Sequence, residues 1–227
     1  MSPSHVYYLN CKTTLPGCAD NHVMFPWIWE LENDGGSVWL MSSADGWHWS
    51  RVPGGPVVSP GRWGQPDGAL VTCSGNLLEY PGDLWGIGYS GNPIPHKYPG
   101  RDIEQRQGLF PGIPSVSGLA TWPKGRLVAL QADDVGEFAT VAIMPASDRI
   151  RLNAEVPPTG YIQVAVRTYG SRNDLPARSF QDSDPWTGDR LAASVTWDGQ
   201  VSIGHQGKAI VIRFRMKQAK LFGVEFY

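Results

Sequence analysis

Charge is sparse in this chain, and long apolar runs are absent. Charged residues make up 18% of it, the net charge is −2, and Lys and Arg are scattered. Nucleic acid and anionic membrane surfaces are therefore not expected as partners, because both are recognised through basic patches. No apolar run approaches the roughly 18 residues of a membrane-spanning helix. Residues 1–8 show no basic stretch followed by an apolar one, so no secretory signal is predicted and the cellular location is left open.

Cysteine is also scarce, and the common catalytic motifs are missing. The three cysteines, Cys11, Cys18 and Cys73, form no C-x-x-C pair, so a zinc ribbon is excluded and three free thiols are expected. A Cys11–Cys18 bridge across a short turn is the alternative. There is no G-x-S-x-G, HExxH, P-loop or dinucleotide fingerprint, which disfavours serine hydrolases, zinc proteases and nucleotide enzymes. No cofactor and no metal are predicted.

Turn-forming and aromatic residues are abundant. Gly (27) and Pro (19) make up about a fifth of the chain, and there are ten Trp. Helical periodicity is rare, whereas short β-rich runs separated by turn residues recur throughout, so an all-β fold is predicted. The predicted strands of the first part are 5–9, 22–31, 37–42, 69–73, 84–90, 117–122 and 126–130. Those of the second part are 137–143, 150–154, 161–167, 194–198, 209–217 and 221–227.

The two parts differ in character, which predicts two domains. Apolar and polar residues alternate in 161–167 and 209–217, as in a sheet with one buried face, so 137–227 is predicted to be an antiparallel β-sandwich. The basic side of the second run is interpreted as a solvated face. Residues 1–136 are Trp- and Gly-rich, with strands that are apolar on both sides, as in propeller blades. At roughly 40–60 residues per blade, they hold about two blades and a connecting loop at 91–116.

A hairpin signature lies at residues 43–49. The pattern S-x-D-G-x-x-W predicts that Asp45 and Gly46 form the turn and that Trp49 packs between sheets. The motif indicates architecture and says little about catalysis.

Two acidic residues precede apolar strands in equivalent ways. Asp20, Asn21 and His22 come just before one strong apolar run, and Asp67 comes just before another. If these are the starts of adjacent blades, the two carboxyls would converge on one axis. A carboxyl pair in a Trp-rich pocket suits glycoside hydrolysis, in which one group donates a proton and the other attacks or activates water. The alternative is an Asx-type turn in which His22 is fully hydrogen-bonded.

Two further acidic groups are interpreted structurally. Asp133, Asp134 and Glu137 are expected to form an acidic linker, with a calcium site as the alternative. The run 181–190, QDSDPWTGDR, is expected to form a capped loop that contains three aspartates.

Several runs resemble bacterial proteins of the β-fructofuranosidase-like, family 32 and 43 glycoside hydrolase propellers. In the second half these are SGLATWPKGRLVALQADDVGEFAT, IRLNAEVPPTGYIQVAV, SFQDSDPWTGDRLAASVTW and GKAIVIRFRMKQAKLFGVEF. Upstream, LPGCADNHVMFPWIWEL and SSADGWHWSRVPGGPVVSPGRWG are similar to the last blades of such a propeller. The resemblance covers essentially the whole chain. It implies late blades of a five-bladed propeller followed by a sandwich, and an activity on glycosides.

The chain departs from that family at its catalytic motifs. Nothing matches the nucleophile motif similar to W-M-N-D-P-N-G, the R-D-P motif or the Glu-Cys dipeptide. No catalytic residue is transferred by motif, and Asp20, His22 and Asp67 correspond only to ligand-contacting positions. Two blades cannot close a ring, so the open strand edges predict self-association into a homo-oligomer.

Three functions follow from these observations. The first is a glycoside hydrolase that acts on a carbohydrate substrate through Asp20 and Asp67. The second is a non-catalytic carbohydrate-binding module, and the third is an assembly fragment without a ligand. The predicted substrate contacts are Asn21, His22, Trp27 and Trp63.

Overall fold

Every regular element that the structure describes is a β-strand. The computed structural model describes residues 3–97 and 112–227, and the predicted all-β class is confirmed for them. Within those ranges there is no helix that could cross a membrane. The chain divides into two compact units, Met1–Trp122 and Pro123–Tyr227. Residues 98–111 of the predicted connecting loop 91–116 lie outside the described part.

The described residues of the first unit form ten strands in two sheets. The strands are β1 (His5–Leu9), β2 (Lys12–Leu15), β3 (Cys18–Met24), β4 (Trp27–Glu30), β5 (Gly35–Val38), β6 (Met41–Ser43), β7 (Ser50–Arg51), β8 (Leu70–Tyr80), β9 (Leu84–Asn92) and β10 (Val116–Pro123). One sheet has the order β1-β4-β5-β8-β9-β10, and the other has the order β2-β3-β6-β7. β5 and β8 pair in parallel, whereas the pairs β1–β4, β4–β5, β8–β9, β2–β3, β3–β6 and β6–β7 are antiparallel.

The first seven strands form a back-and-forth meander that runs through both sheets. Phe25 and Pro26 separate β3 from β4, and Trp39 and Leu40 separate β5 from β6. The backbone N–H of Phe25 donates to the Cys11 carbonyl at 2.8 Å, and that of Trp39 donates to the Pro26 carbonyl at 2.9 Å. These bonds carry the pairing across the breaks, so two long bent strands each contribute to both sheets.

Aromatic and branched side chains fill the interior of the first unit. Its buried core includes Val23, Phe25, Trp27, Ile28, Val38, Leu40, Val71, Leu77, Trp85 and Ile87. Trp27 lies directly against the backbone of Gly36 on the neighbouring strand, at a position where a Cβ atom would overlap the indole. Glycine at this position therefore permits the close approach of the two strands.

The second unit contains five strands, and the longest of them pairs with three of the others. The strands are β11 (Leu130–Ala139), β12 (Ile150–Val156), β13 (Tyr161–Thr168), β14 (Gly188–Ser194) and β15 (Ile210–Phe226), which is the longest. The strand order is β11-β15-β12-β14, and β13 also pairs with β15. The alternation predicted for 161–167 and 209–217 is present in part. Phe214 is buried while Arg213 and Arg215 are not, but Ala165 and Val211, which were predicted on the outward face, are buried as well. The interior of this unit is a single cluster that includes Ile150, Leu152, Ile162, Val166, Trp197, Ile203, Ile212 and Met216.

A loop, rather than another strand, covers the free edge of β13. Ile162 and Trp186 exchange two backbone hydrogen bonds of 3.0 Å. The Val164 N–H donates to the Ser183 hydroxyl at 2.9 Å, and the Val164 carbonyl accepts from the Trp197 indole at 2.7 Å. The outward backbone groups of β13 are thus satisfied inside the unit, which removes an open edge.

Several element boundaries differ from the sequence-based ones. Residues 126–129 are not a strand, β11 begins at Leu130, and the expected domain boundary at 136/137 falls inside that strand. The acidic linker expected at 133–137 is part of the same strand, since these residues pair with β15 or bulge out of that pairing. Lys12–Leu15 is a strand without strong apolar character, which explains why periodicity missed it.

Candidate functional site

A cavity of about 550 Å³ in the first unit contains one of the predicted ligand contacts, His22. We call it the His22 cavity. Its lining residues come from β2, β3 and β8 and the turn after β2, and they are Lys12, Thr13, Thr14, Pro16, His22, Asn76, Leu77, Leu78 and Glu79. The volume lies within the range of small-molecule sites.

Two irregular strand pairings create this cavity. In the β2–β3 pairing, Thr14 lies opposite His22 but Leu15 lies opposite Cys18, so three residues of β3 bulge out between them. In the β8–β9 pairing, three residues likewise bulge out of β8 between Ser74 and Leu78. Bulges redirect side chains and interrupt pairing. The polar groups of the cavity are therefore not absorbed into a regular sheet.

Backbone and thiol contacts hold the β8 bulge in place. Gly75 has a φ of 86°, which a side chain would disfavour. The Cys11 thiol donates to the Gly75 carbonyl at 2.9 Å. The bulge that carries Asn76 is thereby tied to the segment between β1 and β2.

One nitrogen of the His22 ring is enclosed by the protein without a hydrogen-bond partner in the described ranges. Its Nδ1 atom is buried and has no hydrogen-bond partner among residues 3–97 and 112–227. The expected alternative, a fully hydrogen-bonded His22, therefore does not hold for the described residues. A buried polar atom without a partner is unusual and calls for an explanation such as a ligand or water.

Lysine supplies positive charge to the wall of the cavity. The Lys12 ammonium donates to the Gly46 carbonyl at 3.4 Å and lies 5.7 Å from the centre of the Trp49 ring. Thr13, Thr14 and Asn76 add hydroxyl and amide groups, and Glu79 is the carboxylate in the lining. Hydrogen-bond donors, acceptors and both charges thus surround one space. Sequence reasoning missed Lys12 and Asn76, although the Gly75-Asn76 pair could have indicated a bulge.

Asp20 and Asn21 lie near this cavity but do not line it. Both are exposed residues of β3, within the bulge that precedes His22. The Asp20 carboxylate has no hydrogen bond or ion pair with another residue of the described ranges.

Asp67 lies near the beginning of β8. Its carboxylate accepts a hydrogen bond from the Tyr89 hydroxyl at 3.5 Å, and its carbonyl accepts from the Gly61 N–H at 3.1 Å. The His22 cavity lies against the bulge and far end of the same strand. Leu70 and Asn76 are six residues apart, which corresponds to roughly 20 Å of extended chain. Asp67 is thus not among the residues that surround His22.

The two predicted tryptophan contacts have different surroundings. Trp27 is 2% exposed, and its ring packs edge-on to Tyr8 and His96 with ring centres about 5 Å apart. It belongs to the core and does not offer a surface platform. Trp63 is 64% exposed and precedes Asp67 in the segment before β8.

The hairpin predicted from the S-x-D-G-x-x-W pattern is present. The Asp45 carboxylate accepts from the N–H groups of Trp47 and His48, both at 2.8 Å, and contacts the His48 ring at 2.7 Å. Hydrogen bonds from the side chain and N–H of His48 and from the N–H of Trp47 lower the pKa of Asp45. Gly46 follows with a φ of 75°. Asp45 is thus engaged in forming the turn.

The cysteines are free thiols. Cys18 lies opposite Leu15, and Leu15 is four residues after Cys11 along an extended chain. The two thiols are therefore too far apart for the alternative Cys11–Cys18 bridge, which does not form. Burial, and secondarily the charge of Cys11, raises the pKa of Cys73 to about 12, and burial raises the pKa of Cys11. Both thiols are protonated near neutral pH and are poor nucleophiles.

Two of the remaining acidic groups, Asp184 and Glu137, serve the fold. Asp184 accepts from the Thr196 hydroxyl at 2.6 Å and the Gly199 N–H at 2.9 Å, as expected for a capped loop. Arg215 pairs with Glu137 at 2.7 Å. Within residues 3–97 and 112–227, no group of three or more His, Cys, Asp or Glu side chains could hold a metal ion.

Comparisons with known protein families and with curated proteins find no match to this chain.

Proposed function

We propose that this chain is a carbohydrate-active protein that binds a saccharide in the His22 cavity. The observation that carries the proposal is a cavity that brings the His22 ring together with hydroxyl, amide, ammonium and carboxylate groups. Sugar hydroxyls both donate and accept hydrogen bonds, so they suit a mixed lining of this kind. The resemblance to glycoside hydrolase propellers that the sequence suggests implies the same ligand class.

We further propose that the first unit corresponds to propeller-type blades and the second to a β-sandwich. The antiparallel meander of β1 to β7, followed by β8, β9 and β10, supports the first assignment. The alternation of buried and exposed residues along β12 and β15 supports the second.

Glycoside hydrolysis through Asp20 and Asp67 is the second candidate, favoured by the family resemblance. Carboxyl pairs in these enzymes lie about 5–9.5 Å apart. Asp67 lies near the start of β8, whereas Asp20 lies near the His22 cavity, toward the other end of that strand. The carboxyl pair therefore fits this mechanism best if Asp20 of one copy of the chain meets Asp67 of another. The hydrolase proposal is therefore linked to the proposed homo-oligomer. Among the strands of residues 3–97 and 112–227, β10 lies at the end of its sheet, and it has no buried residue, which suits such an association.

A binding experiment tests the first proposal. Titration of the whole protein with oligosaccharides of inulin, arabinan, xylan and cellulose should identify a binder by calorimetry. His22→Ala should weaken that binding about tenfold, the equivalent of about 1.4 kcal/mol. His48→Ala is the matched control, because His48 is an exposed histidine of the same unit that does not line the cavity. Equal affinities of the two variants would refute the assignment of the site.

A second assay separates binding from hydrolysis. Reducing-sugar release from the same polysaccharides and from aryl glycosides is measured after the oligomer has been sized by ultracentrifugation. Release that disappears in both Asp20→Asn and Asp67→Asn supports the hydrolase. Binding without release from any substrate selects the non-catalytic module.

A further inference from the structure

The turn between β6 and β7 lies against two side chains of the His22 cavity. We call residues 45–49 the hairpin turn. A Cβ atom on Gly46 would lie 3.1 Å from the Lys12 Nζ atom and 3.4 Å from the His22 Nε2 atom. Both Lys12 and His22 line the cavity, so the hairpin turn begins where that lining ends.

Strand pairing brings the hairpin turn to this position. Thr14 lies opposite His22 in the β2–β3 pairing, and His22 lies opposite Ser43 in the β3–β6 pairing. Residues directly opposite each other on paired strands point to the same face of the sheet. The Ser43 hydroxyl accepts from the Gly46 N–H at 2.8 Å. The turn therefore folds over the face of the sheet that carries Thr14 and His22.

Hydrogen bonds fix the shape of the hairpin turn. The Asp45 carboxylate accepts from the Trp47 N–H at 2.8 Å. The Gly46 carbonyl accepts from the Trp49 indole at 3.2 Å and from the Lys12 ammonium at 3.4 Å. The two residues that precede Trp47 are thus held in place, so the Trp47 backbone has a defined position. A ligand that contacts this residue pays little entropy for ordering the turn.

The side chain of Trp47 protrudes from the hairpin turn. It is 85% exposed, the largest exposed fraction among the large hydrophobic side chains of the described residues. A tryptophan side chain gains stability from burial because its apolar area is large. An indole that protrudes from a fixed turn beside a cavity is therefore suited to contact with a ligand.

Trp47 is close enough to His22 to share one ligand with it. The Gly46 Cβ position is 3.4 Å from the His22 Nε2 atom. Because adjacent Cα atoms are about 3.8 Å apart, the Trp47 Cα atom lies at most about 9 Å from that nitrogen. A disaccharide or trisaccharide can span such a distance.

Trp47 offers a kind of contact that the cavity does not. None of the described residues that line the His22 cavity is Trp, Tyr or Phe. Sugar rings combine hydroxyl edges with apolar C–H faces, and a flat aromatic ring provides a large apolar area for such a face. The hydroxyl edges are served by the polar groups of the cavity, whereas an apolar face is served by the indole.

We propose that Trp47 is a second contact for the saccharide of the His22 cavity and that the ligand is therefore an oligosaccharide. One sugar ring occupies the cavity, and a following ring stacks on the Trp47 indole. This role of Trp47 rests on the function proposed for the cavity, because it extends the same ligand past the hairpin turn. The site is thereby selective for sugar chains over monosaccharides.

Calorimetric titration with saccharides of increasing length tests this role. The probes are the monosaccharide, disaccharide and trisaccharide of the inulin, arabinan, xylan and cellulose series, each titrated into the whole protein. In the series that binds, the trisaccharide should bind at least about fivefold more tightly than the monosaccharide. Trp47→Ala should abolish this gain and leave the affinity for the monosaccharide unchanged. Equal affinities of the parent protein for both lengths would overturn the proposal.

Two variants control for damage to the hairpin turn. Trp47→Phe keeps an aromatic ring and should retain part of the gain with chain length. His48→Ala removes the neighbouring exposed side chain and should leave the gain unchanged, because the bond from the His48 N–H to Asp45 does not need the ring. Equal losses in Trp47→Ala and His48→Ala would overturn the proposal, since the turn and not the indole would then determine binding.

Acrylamide quenching of tryptophan fluorescence gives a second readout. Saturating trisaccharide should protect an exposed indole of the parent protein, and this protection should be absent in Trp47→Phe. Protection that persists in Trp47→Phe would place the sugar elsewhere and overturn the proposal.

The remaining outcomes separate this role of Trp47 from the function proposed for the cavity. If His22→Ala weakens binding and Trp47→Ala does not, the cavity binds sugar and only the role of Trp47 is refuted. If no saccharide binds the parent protein, both are refuted. If Trp47→Ala dissociates an oligomer in sedimentation velocity and leaves the trisaccharide affinity unchanged, Trp47 belongs to a contact between copies, which also overturns the proposal.

Discussion

Replacing Ser183 with alanine should destabilise the second unit by about 1–3 kcal/mol. Ser183 is 3% exposed, and its hydroxyl accepts from the Val164 N–H at 2.9 Å. That N–H points away from β15, toward the loop that covers the edge of β13. Without the hydroxyl, the Val164 N–H stays buried with no partner, and the cost is that of desolvating an unpaired donor.

Ser147→Ala is the control for this prediction. The Ser147 hydroxyl is also buried, but it makes no hydrogen bond to any residue of the described ranges. Each substitution removes one serine hydroxyl oxygen. Because Ser147→Ala breaks no hydrogen bond, its free energy of unfolding should stay within about 0.5 kcal/mol of the parent or rise.

Differential scanning calorimetry and amide hydrogen exchange test the pair. For a unit of this size, 1–3 kcal/mol corresponds to a decrease in Tm of about 5–15 °C. The Val164 amide should lose exchange protection in Ser183→Ala and keep it in Ser147→Ala. If the two variants have the same Tm, the loop does not stabilise the strand edge through this bond and the reasoning fails.

Three further predictions concern thiols, acid stability and packing. Iodoacetamide at pH 8 should label Cys18, which is exposed, orders of magnitude faster than Cys73, whose pKa burial raises to about 12; mass spectrometry of the peptides measures both rates. Hydrogen bonds from the Thr196 hydroxyl and the Gly199 N–H lower the pKa of Asp184 in the folded state. The Asp184 carboxylate therefore stabilises the fold fully above its unfolded pKa of about 3.9. That stabilisation is lost as the pH falls through the folded pKa. The Tm difference between the parent and Asp184→Asn should therefore shrink below about pH 4, and a constant difference would contradict this. Gly36→Ala should lower the stability of the first unit by about 1–3 kcal/mol in thermal unfolding, because the new methyl group overlaps the buried indole of Trp27; an unchanged Tm would show that the strands can separate freely.

The candidate sites were only partly predictable. His22 was predicted because polar residues at the start of a strand are where a propeller would present side chains to a ligand, and it lines the His22 cavity. Lys12 and Asn76 were missed, because β2 has no apolar alternation and the β8 bulge inserts residues that periodicity cannot register. Trp27 was predicted to contact ligand, but the close approach of Gly36 places it in the core. Composition cannot distinguish a buried tryptophan from an exposed one.

The local pattern of apolar, polar and turn-forming residues in the sequence determined the all-β class, many of the turns and the buried face of the most regular strands. Asp45-Gly46 forms its turn because the aspartate accepts from the following N–H groups, and the alternation of 161–167 matches the two faces of a sheet. Only the tertiary structure decided where strands slip relative to their partners. Slippage depends on the neighbouring strand, which local sequence does not identify, and the His22 cavity lies at two such slips, beside Thr14 and beside Leu78.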